Sequence, residues 1–155
     1  MSPFPEMTDL ETPASAEPEA LATTKLDLYR EHLASEGFRP EVDEDGDLYF
    51  RHEGKSLCIF VHEDDRSFFR LALPAFFECE GAEEEARALR VANRMNKAFK
   101  VGKLVIADGT AWANVELFLD DPAAFRPVLD RCLDLVGSMA FDFRRLMREE
   151  ARERE

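Results

Sequence analysis

Residues 47–74 read DLYFRHEGKSLCIFVHEDDRSFFRLALP, and their alternation decides the fold. Apolar residues recur at every second position in three short runs, the period of a half-buried strand. The runs are Leu48–Glu53, Ser56–Glu63 and Ser67–Leu73, with turn-forming residues between them. Gly54-Lys55 is read as a tight hairpin closure, which sets Phe50 opposite Ile59 and Leu48 opposite Val61. A three-residue loop, Asp64-Asp65-Arg66, sets Val61 against Phe69, Ile59 against Leu71 and Leu57 against Leu73. A two-residue loop would set Ile59 against Arg70 and flip every side chain, so the longer one is preferred. Pro74 is read as the end of the third strand, because proline cannot donate to a ladder.

Working outward, Leu26, Tyr29 and Leu33 share one face of a helix predicted over about Leu21–Glu36, with Gly37 and Pro40 ending it. The acidic turn Asp43–Asp47 leads into the first strand. It lacks the spacing of a calcium-binding loop, because its glycine comes fourth rather than sixth. After Pro74, a helix over about Ala82–Lys100 carries an apolar stripe of Ala88, Val91, Ala92, Met95 and Phe99. Glu83, Glu84 and Glu85 in its first turn complement the helix dipole. Asp108-Gly109 closes a second hairpin between Lys103–Ala107 and Ala111–Leu119. Asp121 caps a last helix with Pro122 at its first position, and Pro127 kinks or restarts it. The charged run after Phe143 is read as outreaching the core. The predicted fold is α+β, in the order α-β-β-β-α-β-β-α, with a mainly antiparallel sheet and helices packed on one face.

The chain of 155 residues suits one domain with a tail. Residues 1–20, rich in Pro and Glu, read as a disordered tail, 21–150 as the single domain and 151–155 as a charged end. Thirteen Phe against one Trp and two Tyr make the interior Phe-based. A net charge of -13 argues against nucleic acid and anionic membranes as partners, since both need a dense cationic surface. Cys58, Cys79 and Cys132 are odd in number and form no C-x-x-C pair, so reduced thiols and a cytoplasmic location are expected. No run of 18 apolar residues predicts a membrane span.

No motif for nucleotide binding, nucleophilic catalysis or metal ligation is present, and His32, His52 and His62 read as solvated surface residues. No catalytic residue, metal ligand or cofactor is therefore assigned. The expected role is a non-catalytic module that binds a protein partner. The alternative is a small hydrolase-type enzyme using carboxylate and histidine acid–base groups in a cleft. Candidate contact residues are Tyr49, Phe60, Trp112 and Phe118 on the minor strand faces, where an aromatic patch would mark an interface. At 100° per residue, Arg87, Arg90, Arg94 and Lys97 share the outer face of the second helix. Arg90, Arg94 and Lys97 are the candidates for charge selectivity.

The stretch VANRMNKAFKVGK at residues 91–103, with its two asparagines three apart, resembles the centre of the YbjN-like family of bacterial proteins. Phe69–Pro74 is similar to that family's strand ending in Leu-Pro, and Asp45–Phe50 to its turn and strand. The resemblance covers roughly Thr24 to Met147. It implies a fold similar to type III secretion chaperones, which are dimers that hold client proteins. It also implies a sensory-transduction-regulator role and a homodimeric state, and it brings no catalytic residues. Asn93 and Asn96 match the family pattern. Asn96, at the edge of the apolar stripe, is placed to bond a neighbouring backbone and fix the helix on the sheet.

Overall fold

The computed structural model describes residues 23–155. The expected N-terminal tail, residues 1–20, therefore lies outside the described residues. Helix α1 (Lys25–Ser35) is followed by β1 (Glu41–Val42), β2 (Leu48–His52), β3 (Lys55–Phe60) and β4 (Phe68–Glu78). Helix α2 (Ala82–Ala98), β5 (Gly102–Ala107) and β6 (Thr110–Phe118) come next. A 3₁₀ segment (Pro122–Val128) then runs into α3 (Leu129–Arg152). The six strands form one sheet in the order β1-β2-β3-β4-β6-β5, antiparallel at every pairing.

Both hairpins turn on two residues with positive φ, the geometry whose twist matches that of paired strands. At Asp108-Gly109 (φ 50° and 74°) the expected turn is present. In the first hairpin the turn is Glu53-Gly54 (φ 49° and 74°) rather than Gly54-Lys55. Phe50 consequently pairs with Leu57 and Leu48 with Ile59, a shift of two residues that leaves every side chain on its expected face. The β3–β4 register has Ile59 opposite Leu71, as the alternation requires.

Pro74 does not end β4. The register slips between Leu73 and Phe77, so Pro74, Ala75 and Phe76 form a bulge in which the missing proline N–H costs no ladder bond. Ala75 takes a positive φ of 45° there. Arg144 of α3 donates from Nη2 to the Phe76 carbonyl at 2.7 Å, and Phe143 packs edge-on against Phe76 and Phe77.

The core lies on one side of the sheet. Leu48, Phe50, Leu57, Ile59, Phe69, Leu71, Leu104 and Val115 meet apolar side chains of all three helices in a single cluster. The last helix is apolar further along than the sequence suggests. Leu146 and Met147 are buried within the charged run, and the helix continues to Arg152. Asp121 does cap the 3₁₀ segment, accepting from the Ala123 N–H at 2.8 Å, and Pro127 marks the restart before α3.

Candidate functional site

The second face of the sheet carries no helix, and the alternation of the strands decides what stands on it. Tyr49, Cys58, Ala72, Asn114 and Lys103 form one row across five strands through their pairings. Phe60, Arg70 and Glu116 form the next row, and Phe68 stands opposite Phe118 beyond it. Trp112 pairs with Val105 on the other flank.

Polar groups at the centre of this face are already engaged. The Arg70 guanidinium lies 4.1 Å from the Phe60 ring centroid, a cation–π distance. It donates to Asn114 Oδ1 at 3.1 and 3.3 Å and stands 3.6 Å from Glu116. Lys103 closes on the same carboxylate at 3.0 Å. Asn114 is buried and donates to the Lys103 carbonyl at 3.3 Å. Such a ladder holds Arg70 flat against the sheet while leaving its outer edge and the flanking aromatics accessible.

All four aromatic candidates are on this face. Phe118 is 83% exposed, and its ring lies 6.2 Å from that of Phe68. Phe60 and Tyr49 are half-buried. Trp112 is half-buried and donates from its indole to Thr110 Oγ1 at 3.0 Å. Burial, and then a hydrogen bond with Cys58, pushes the Tyr49 phenol up to about 12, while burial raises Cys58 to about 12. Neither group is a nucleophile at neutral pH.

The basic candidates lie elsewhere. Arg90, Arg94 and Lys97 are exposed on α2, whose buried stripe of Ala88, Val91, Ala92 and Met95 faces the core side of the sheet. The sheet layer thus separates them from the aromatic group. Arg90 is engaged by Glu150 of α3 at 3.6 Å, which leaves Arg94 and Lys97 as the freer pair. Asn96 does bond a neighbouring backbone. It accepts the Leu104 N–H at 2.8 Å and donates to the Leu104 carbonyl at 3.0 Å, covering the outer edge of β5.

The histidines are not solvated as expected. All three are half-buried against phenylalanines: His32 on Phe125, His52 on Phe38 and His62 on Phe68. A cleft of about 550 Å³ between the β2–β3 hairpin and α3 is lined by His52 and Lys55 from the hairpin and by Ser138 and Asp142 from the helix. The nearest carboxylate to His52 Nε2 is that of its chain neighbour Glu53, at 3.7 Å. Among the described residues, no group of three or more His, Cys, Asp or Glu side chains is arranged to hold a metal ion. The acidic turn before β2 is locally satisfied, with Asp43 Oδ1 accepting the Asp45 and Asp47 N–H groups and Asp47 Oδ1 accepting that of Val61. No described helix is long and apolar enough to cross a membrane.

One feature that sequence reading missed is Lys25. Its side chain is fully buried, and Nζ donates to the carbonyls of His62 and Asp65 at 2.9 Å and of Phe68 at 2.6 Å. Burial pulls its pKa below that of a solvated lysine, opposed by Asp65 and Glu63. Glu63 also accepts the backbone N–H groups of Lys25 and Leu26, so the loop after β3 caps the helix that anchors in it.

No family model matches the chain, and no curated protein matches it. Among solved structures, the chain is similar to a crystal structure of an uncharacterized protein from Methanothermobacter thermautotrophicus. The identity is 14% and the TM-score 0.40, over 84% of this chain and 98% of that one. A likeness of that extent carries nothing further about this chain.

Proposed function

We propose that the chain is a non-catalytic, cytoplasmic protein-binding module of the YbjN-like kind, acting as a homodimer whose copies meet through the open sheet face. One observation carries the reading: a sheet covered by helices on one side presents Phe60, Phe118, Tyr49 and Trp112 on the other. Aromatic groups gathered on one open face, one of them exposed and three half-buried, are typical of interface cores. The charges beside them are of both signs, Arg70 and Lys103 against Glu116. A two-fold axis through such a face can set each copy's cations against the other's carboxylate. On the far side, Arg94 and Lys97 suit an acidic segment of a client or regulatory partner.

Light scattering across a concentration series tests the reading. A dimer is expected for the native chain. Phe60→Asp and Phe118→Asp should give monomers with unchanged circular dichroism, because a buried unpaired carboxylate at the interface is costly. A native chain that stays monomeric at high concentration would refute the dimer.

A further inference from the structure

On the helix side of the sheet, β6 runs past the start of its neighbour. The β5–β6 ladder ends at Gly102 opposite Val115, so Leu117 has no β5 residue beside it. Helix α2 has ended at Ala98, and α3 does not begin until Leu129. Among the described residues, no side chain fills the interval, and a groove of about 630 Å³ remains. Its walls are apolar, with Phe99 and Val101 on one side, Leu117 as the floor and Val128 and Leu135 opposite. Met139 tucks against Gly102, the residue after Val101, where a Cβ would meet its sulfur at 2.5 Å.

Two further observations bear on what this groove takes. Val101 adopts φ 67°, a conformation that a β-branched residue rarely accepts and that a helix end ordinarily gives to glycine. The strained residue puts an apolar side chain, 56% exposed, at the mouth of the groove. Backbone strain of this kind persists where the surroundings enforce it, often beside a binding site. Lys100 and Arg131 also stand at the mouth, and neither belongs to a salt bridge among the described residues. Asp134 is the one carboxylate on the same rim.

We propose that this groove binds a free medium-chain fatty acid, its aliphatic chain along Leu117 and Leu135 and its carboxylate between Lys100 and Arg131. An apolar cleft of this volume with a few convergent charges is the usual form of a small-ligand site. Two cations against one carboxylate select an anionic head. The site lies on the opposite side of the sheet from the aromatic face and does not depend on the dimer.

Titration calorimetry with dodecanoate tests the proposal, backed by methyl NMR of Leu117 and Leu135. Saturable binding is expected, with shifts confined to the groove. Arg131→Glu, an exposed change, should weaken dodecanoate by at least about tenfold and improve dodecylamine. Leu135→Trp should fill the groove and abolish both, with circular dichroism confirming the fold. Absence of saturation by about 1 mM would overturn the proposal. So would equal affinity for dodecanoate and dodecylamine, which would mark nonselective apolar burial. Binding only to anionic lipid vesicles would also overturn it. A Leu-centred, Glu-flanked nonapeptide that displaces dodecanoate at lower concentration would instead reassign the groove to a protein segment. Light scattering of the same variants separates this outcome from failure of the dimer.

Discussion

Lys25 offers the sharpest test of how this fold is held. Its ammonium sits among two carbonyls of the loop joining β3 to β4 and that of Phe68, the first residue of β4, some 40 residues away in the chain. An ammonium supplies three donors from one atom, which suits three carbonyls that converge on a single point. Lys25→Met keeps the aliphatic stem and deletes the donors. Each hydrogen bond to a charged group contributes about 1.5–3 kcal/mol. The substitution also removes the cost of burying the charge, several kcal/mol, which offsets part of that loss. What remains is the cost of three acceptors left short of donors, about 1 kcal/mol each where water reaches them partly, so about 3 kcal/mol in total. With a urea slope of about 1.5 kcal/mol per molar, the midpoint should fall by about 2 M at unchanged slope. The loop itself should loosen before the fold does, so trypsin should cut after Arg66 faster in the variant at urea concentrations well below the transition. A midpoint within about 0.3 M of the native value, with unchanged cleavage, would mean that the carbonyl cage does not tie α1 to the sheet.

Three other outcomes follow from particular contacts. Asn96→Ala removes two hydrogen bonds to Leu104 and should destabilise the fold by about 1–3 kcal/mol in chemical denaturation; because it also bares the β5 edge, light scattering should show raised aggregation. Asn96→Asp should not rescue it, since a carboxylate faces the Leu104 carbonyl. Gly102→Ala sets a methyl against the Met139 sulfur, the far end of a flexible side chain that can move aside, and should cost only about 1 kcal/mol, read as a slightly lowered melting temperature. Burial raises the Cys58 thiol to about 12 and the Cys132 thiol to about 11, against 9.0 for a free thiol. The folded state therefore keeps protons that the unfolded chain has shed. Stability should be full below pH 9 and fall as pH rises through 9 to 11, by on the order of 3 kcal/mol for Cys132. Cys132→Ala should flatten that slope in pH-dependent unfolding.

What the sequence discloses here depends on whether a signal is local. The Asp108-Gly109 hairpin is legible because turn type, glycine and flanking alternation agree within a few residues. So is the role of Asn96, because its place at the edge of a helical stripe limits what its amide can reach. The first hairpin is less determined. Moving the turn from Gly54-Lys55 to Glu53-Gly54 shifts the register by two, which keeps every apolar residue on the same face. Burial alone cannot separate the two registers; the positive φ that the turn needs at two successive residues does. The passage of β4 through Pro74 escapes notice for a different reason. A bulge removes the need for the proline N–H, but what holds the bulge is Arg144, 68 residues further on. Lys25 is the extreme case. A lysine in the first turn of a helix reads as solvated, and nothing near it in sequence announces three carbonyls supplied by a distant loop and the strand it enters.

The same distinction bears on where this chain can meet other molecules. A six-stranded open sheet exposes two lateral edges, which are the usual places for an added strand. At one of them Asn96 occupies both backbone groups of Leu104, the outward-facing residue at the middle of β5. At the other, β1 is only two residues long and ends in the tightly bonded Asp43–Asp47 turn. An incoming strand would have to displace Asn96 on one side, or pair with a stub on the other. Faces rather than edges are therefore the surfaces this fold leaves free. The aromatic face suits a broad, flat partner, and the groove beneath Val101 suits a narrow apolar one. Asn96→Ala separates these ideas from strand addition. If opening the β5 edge increased self-association without aggregation, edge pairing would be the mode of assembly. If association still depended on Phe60 and Phe118, the sheet face would be.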